Sequence, residues 1–222
     1  MFIGHFALGY AAKRWVPRVS LAVLFGAAQL ADFLWPVLVA LGIERVRIVP
    51  GFTAATPLEF ISYPYSHSLA TLVLWGALFG WVCMRWVAGA RVFLVVLALV
   101  VSHWVLDFVT HRPDMPLYPG GPKLGLNLWN SVPATMLVEI SMFLAGAWIY
   151  LDITRPRNAV GRWGTLVLLS TLLLIYIGDA LSPTLPPNVN AIVVVGLAAS
   201  VIFTAWAVWA DRYRDVVTSG RN

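Results

Sequence analysis

Residues 92–110 read VFLVVLALVVSHWVLDFVT. As a helix this run is about 28 Å long, close to the roughly 30 Å hydrocarbon core of a bilayer. It also carries His103 and Asp107 four residues apart, a spacing that stacks two side chains on one helix face. An apolar span with an ionisable pair inside it decides the reading of the rest of the chain. Comparable runs occur at about 19–42, 66–84, 132–151, 163–181 and 191–210. Only helices or closed barrels satisfy their backbone in lipid, and these runs lack the alternation of barrel strands. The sequence therefore predicts an all-α polytopic bundle of about six transmembrane helices. A shorter apolar piece, Met1 to Ala12, is about 18 Å long as a helix and is read as half-inserted.

Composition agrees with that reading. The chain has 222 residues, 60% hydrophobic and 11% charged, against about 45–50% and about 25% in soluble domains. A soluble globular fold is excluded. One cysteine, Cys83, rules out a disulfide framework and a cysteine-based zinc finger. The net charge of +5 is scattered between apolar runs, which predicts no nucleic-acid partner. The whole of 1–222 is read as one integral membrane domain, in which 1–145 carry the polar residues and 146–222 add further spans and a short tail.

Six crossings put Lys13, Arg14, Arg18, Arg85, Arg91, Arg155, Arg157, Arg162, Arg212, Arg214 and Arg221 on one side, against Arg45, Arg47, Arg112 and Lys123 on the other. The positive-inside rule makes the first side, with the C-terminus, cytoplasmic. Loops 43–65, 111–131 and 182–190 then face outward. The first long run continues through Phe33, Leu34 and Trp35 without a processing boundary, so it is read as a span and not as a cleaved signal. The tryptophans suit interfacial belts.

Ionisable residues inside lipid are costly and are functional-site candidates by default. Here they are His5, Asp32, His67, His103, Asp107, Glu139 and Asp179. Measured along each helix from the nearest basic residue, Asp32, His67, His103, Asp107 and Glu139 lie between about 18 and about 27 Å up, and His5 at about 12 Å. They gather in the outer part of the core. Imidazole and carboxylate ligands suit zinc, and also manganese or iron. Taken singly each has a plainer reading: a structural His–Asp hydrogen bond at HxxxD, a helix cap at His67, a relay or a paired carboxylate at Asp32, a packing histidine at His5 between Gly4 and Gly9. Pro36 is expected to kink the helix bearing Asp32 and free nearby carbonyls. Past the third run, His111 and Asp114 sit at the membrane mouth, and Arg112 is placed to fork an anionic group. Glu139 is read as a ligand, a general base or a neutral buried carboxyl; Asp179, near Pro183, belongs to no motif. The phosphate-cradling loop GxxxxGK[ST], the HExxH motif and the GxSxG elbow are absent from the sequence.

The ordered series His5, Asp32, His67 and His103-xxx-Asp107 resembles the bacterial membrane-bound metal-dependent hydrolase family, over about residues 1–145. That family is distantly similar to zinc-dependent phospholipase C. The resemblance implies that Asp32, His67, His103 and Asp107 hold one metal, that Asp107 bridges to a second bound by His5, and that Asp32 is alternatively the catalytic base. The phospholipase pattern continues with another histidine, here His111, and an HxxxE pair, which in this chain reads Thr135-xxx-Glu139. One or two ions, of zinc by preference, are therefore expected. The implied activity is metal-dependent hydrolysis of a phosphoester in a lipid or lipid-linked anionic substrate at the outer leaflet, with Asp32 or Glu139 accepting the proton. The rival is an ion or proton-coupled transporter or channel using the same buried groups.

Overall fold

The run quoted above forms α6 (Ala90–Thr110) in the computed structural model, which describes residues 1–181 and 185–217. Before it come α1 (Ile3–Ala12), α2 (Leu21–Ala28), α3 (Leu30–Ala40), the strands β1 (Arg45–Ile48) and β2 (Leu58–Ser62), the single turn α4 (Pro64–His67) and α5 (Leu69–Cys83). After it come β3 (Met115–Pro116), β4 (Lys123–Leu124), α7 (Val132–Ile153), β5 (Thr154–Pro156), α8 (Thr165–Leu181), α9 (Val189–Asp211) and β6 (Arg214–Val216). A π-helical turn, Val160–Gly164, leads into α8.

The architecture is mostly helical, but the expectation of an all-α chain needs correction. Among the described residues three two-stranded antiparallel ribbons, β1–β2, β3–β4 and β5–β6, tie the connections together. Outside the helices the backbone groups still need partners, and pairing connections supplies them. Among the described residues, four helices, or five with a bent pair, have the length and composition of spans, so the expected count of about six is not confirmed. By length and composition, α6, α7, Val160–Leu181 and α9 can each cross a membrane, and α2 with α3 makes a fifth, bent by 57°. The second run, expected over 66–84, is divided at Ser68, whose extended backbone and hydroxyl cap leave α5 with 15 residues, short of the roughly 20 a crossing needs.

The short N-terminal helix, read from the sequence as half-inserted, is packed inside the protein. Nearly every residue of α1 is buried, with its neighbours in α2, α6 and α7. Small residues permit this: a Cβ on Gly146 would collide with the Ala7 carbonyl, so α1 and α7 touch backbone to backbone. The α2–α3 bend falls at Gln29, and α3 runs on through Pro36, so the kink expected at the proline lies seven residues earlier. Two apolar clusters form the core, one around α2, α5 and α6 and one around α1, α7, α8 and α9. The first part of the 182–190 loop, with Pro183, and Arg221 lie outside the described residues.

Candidate metal centre

Four elements bring the polar residues together. The α6 helix presents His103 and Asp107 on one face; α4 ends on His67; α3 contributes Asp32 one turn after the bend; α1 contributes His5. His103 Nε2 lies 3.1 Å from Asp107 Oδ2 and 3.7 Å from Asp32 Oδ1. His67 Nε2 lies 3.6 Å from the same Asp32 oxygen and 3.8 Å from Asp107 Oδ2. His5 approaches the other oxygen, with Nε2 3.1 Å from Asp107 Oδ1, and its ring stacks on that of His103 at 3.7 Å. His111 Nε2 is 3.9 Å from Asp107 Oδ2. All four imidazoles and Asp107 are buried, whereas the Asp32 side chain is 38% exposed.

This donor set fits a cation. In a tetrahedral array with bonds of about 2.1 Å, neighbouring ligand atoms are about 3.4 Å apart. The four separations among Asp32 Oδ1, His67 Nε2, His103 Nε2 and Asp107 Oδ2 given above run from 3.1 to 3.8 Å. At 3.6 to 3.8 Å an imidazole proton makes no hydrogen bond to a carboxylate. His103 Nε2, although 3.1 Å from Asp107, makes no hydrogen bond and is left a buried polar atom without a partner, as is His5 Nδ1. Buried polar atoms are seldom left so. Two triplets, His5–His103–Asp107 and Asp32–His67–His103, each bring three ligand atoms within 4.8 Å of one another. The buried His/Asp group could hold a metal ion.

The outward-facing ring nitrogens show which way the histidines are held. His103 Nδ1 donates to the Ala28 carbonyl at 2.8 Å. That carbonyl lies at the end of α2, where the bend ends the regular hydrogen bonding. Since a carbonyl only accepts, the proton of a neutral His103 is on Nδ1 and the Nε2 lone pair faces the carboxylates. His111 Nδ1 sits 3.0 Å from Asp114 Oδ1, which also accepts the Tyr63 hydroxyl at 2.7 Å. Burial pushes the His111 imidazole below its ordinary pKa, which keeps it neutral. Burial and the neighbouring Asp114 carboxylate push the Tyr63 phenol well up, so it remains a donor. His67 Nδ1 meets Ser66 Oγ at 2.7 Å.

On the Oδ1 side of Asp107 the α-ammonium of Met1 stands 2.5 Å away. Glu139 Oε2 accepts the backbone N–H groups of Phe2 at 2.7 Å and Gly4 at 3.2 Å. Glu139 therefore holds the start of α1 and borders the site. A cavity of about 240 Å³ opens beside these groups, lined by Asp32, His67, Asp107, His111, Glu139 and Asp179 with aromatic walls from Trp35, Phe60 and Trp129. Arg112 is not part of that lining: its guanidinium lies over the Phe52 ring and donates to the Phe52 carbonyl at 3.1 Å.

Reading the sequence missed Glu44, which is buried against Ser66, and the anchoring roles of Ala28 and Tyr63. Glu44 lies 22 residues before Ser66 in a connection that reads as solvated, and a backbone carbonyl has no signature in sequence.

A mostly helical membrane protein with a buried His/Asp centre is the class these features define. The chain belongs to the YdjM inner membrane protein family, a bacterial membrane family whose sequence profile matches residues 1–183. The match runs through α8 and leaves out α9. Neither a curated protein nor a solved structure is significantly similar to the chain.

Proposed function

We propose that this protein is a membrane-embedded metal-dependent hydrolase acting on a phosphoester of a lipid or lipid-linked anionic substrate, distantly similar to zinc-dependent phospholipase C. The observation that carries the reading is the donor geometry: imidazole lone pairs aimed at two carboxylates, at separations that suit an ion between them and not hydrogen bonds. Asp32, His67, His103 and Asp107 would hold the first ion, zinc by preference, with His111, on the same Asp107 Oδ2 side, as a further neutral imidazole beside it; His5 and Asp107 Oδ1 would hold a second in the place of the Met1 ammonium. A divalent ion supplies Lewis acidity and lowers the pKa of water.

The chain's own residues supply the rest. Asp32 lines the cavity and is the more solvent-accessible of the two carboxylates in the set, which suits it to accept the proton of the attacking water. Glu139 borders the same cavity but has one oxygen committed to Phe2 and Gly4, so it serves as the second acceptor. Arg112, over Phe52, would meet an anionic group on its way in and not at the reacting bond. The aromatic walls, Trp35, Phe60 and Trp129, would limit water in the cavity once a substrate occupies it. The site would face the outer side, with the C-terminus cytoplasmic, by the asymmetry of basic residues.

The test is metal analysis of detergent-purified wild type and His103→Ala, followed by phosphoester hydrolysis with and without chelator. Wild type should carry a transition metal that His103→Ala loses, and chelation should stop turnover. A wild-type protein without metal and indifferent to chelator sinks the proposal. Ion transport in proteoliposomes that survives metal removal would favour a transporter instead.

A further inference from the structure

We propose that Glu44 and Ser66 are a positioning pair that fixes the tautomer of His67, so that its Nε2 presents a lone pair, not a proton, to Asp32 and Asp107. This rests on the metal-centre reading for its purpose but on separate atoms for its geometry. Glu44 is 1% exposed, and among the described residues no lysine, arginine or histidine lies within ion-pair distance of it. A buried carboxylate without a counter-ion is costly unless it is fully hydrogen-bonded. Its partners all come from α4: Oε1 accepts the N–H of Tyr65 at 2.8 Å and of Ser66 at 2.9 Å, and Oε2 accepts the Ser66 hydroxyl at 2.6 Å. Tyr63, in the capping position of α4, makes no side-chain cap, so Glu44 takes that role, accepting the Ser66 N–H from 22 residues away in the chain.

The hydroxyl has a single proton. Glu44 Oε2 can only accept, so Ser66 gives that proton to it and must accept from its other neighbour, His67 Nδ1, at 2.7 Å. The proton of the neutral imidazole is thereby placed on Nδ1. Nε2, 3.6 Å from Asp32 and 3.8 Å from Asp107, is left with its lone pair directed at the carboxylates. A serine alone would not decide this, because its hydroxyl can donate as readily as accept. The carboxylate behind it decides.

The near-isosteric Glu44→Gln tests the pair. The amide oxygen can keep the backbone N–H groups of α4, but its NH₂ then donates to Ser66 Oγ, whose proton turns to His67 Nδ1 and moves the imidazole proton to Nε2. Histidine-selective nitrogen NMR of the metal-free protein, with the His67 signal assigned by its loss in His67→Asn, should show Nδ1–H in wild type and Nε2–H in Glu44→Gln. Zinc affinity, measured by chelator competition, should fall about 10- to 100-fold in Glu44→Gln, the range for losing the partner that orients a ligand. Ser66→Ala should cost less, and Glu44→Gln/Ser66→Ala should return to the affinity of Ser66→Ala, because the relay that carries the wrong proton is gone. A purely structural Glu44 would leave the tautomer unchanged and make the double variant no better than Glu44→Gln. An Nε2–H signal for His67 in wild type overturns the proposal even if Glu44→Gln does not fold. A wild type that binds no zinc yet shows the tautomer switch would sink the metal centre and leave the positioning pair standing.

Discussion

Asp211, largely shielded, and Asp107, buried, are carboxylates set toward opposite ends of α1, and they are satisfied in different ways. Asp211 accepts from Lys13 Nζ at 2.8 Å, the Leu21 N–H at 2.9 Å and the Tyr150 hydroxyl at 2.8 Å. Each partner carries a proton it has no use for elsewhere. Nearby, Arg214 is held by the Thr154 hydroxyl and by the Gly161 and Thr154 carbonyls, so the region is closed. Asp107 Oδ2 faces three imidazole nitrogens instead, at 3.1 to 3.9 Å. Imidazole can donate or ligate, and here the far nitrogens of His103 and His111 are committed to a carbonyl and a carboxylate. One carboxylate is part of a finished ion pair; the other is part of a donor set that could hold a cation on its Oδ2 side.

The sharpest way to break that contrast is at the closed end. Lys13→Met leaves the largely shielded Asp211 without its counter-charge and should lower unfolding stability by about 3 kcal/mol, the lower end of the effect of removing one partner of a buried pair. The measurement is denaturant unfolding in detergent, and metal content should not change. A loss below about 1 kcal/mol would mean the pair behaves as if it were solvated. Of similar size is chelation of the zinc-loaded protein, since an ion bound only to the folded state at about 100 to 1,000 times its dissociation constant adds about 2.7–4.1 kcal/mol. The thermal midpoint should drop on chelation in wild type and stay put in His103→Ala. The two effects should also sum, because Lys13 lies eight residues along α1 from His5, about 12 Å, and independent sites that far apart add to within about 0.5 kcal/mol. Coupling of more than about 1 kcal/mol between Lys13→Met and chelation would show that the two ends are one network. Smallest is Tyr63→Phe, which removes one donor from Asp114 and should cost about 0.5–1.5 kcal/mol, read as a modest loss of stability with metal retained.

How far the site could be read in advance follows from the range of each interaction. His103 and Asp107 meet through the period of one helix, so their pairing is local and visible. His67, Asp32 and His5 could be nominated by the cost of burying them in lipid, but their convergence needed the hairpin of α5 and α6, the bend at Gln29 and the burial of α1 against α7. The bend itself was expected at Pro36, because proline is the visible breaker, yet α3 runs through Pro36 and breaks earlier. Lys13 looked like a topological charge and proved to be a buried partner of a residue 198 positions away.

From sequence alone follow the membrane, the helical character and the identity of the polar residues that lipid makes expensive, since hydropathy and helical period act over one or a few turns. Tertiary packing alone decided which imidazole nitrogen faces which carboxylate, that α1 is core, and that Glu44 lies behind Ser66. Those contacts join residues tens to hundreds of positions apart, and no local pattern of residue types encodes a distance between two helices.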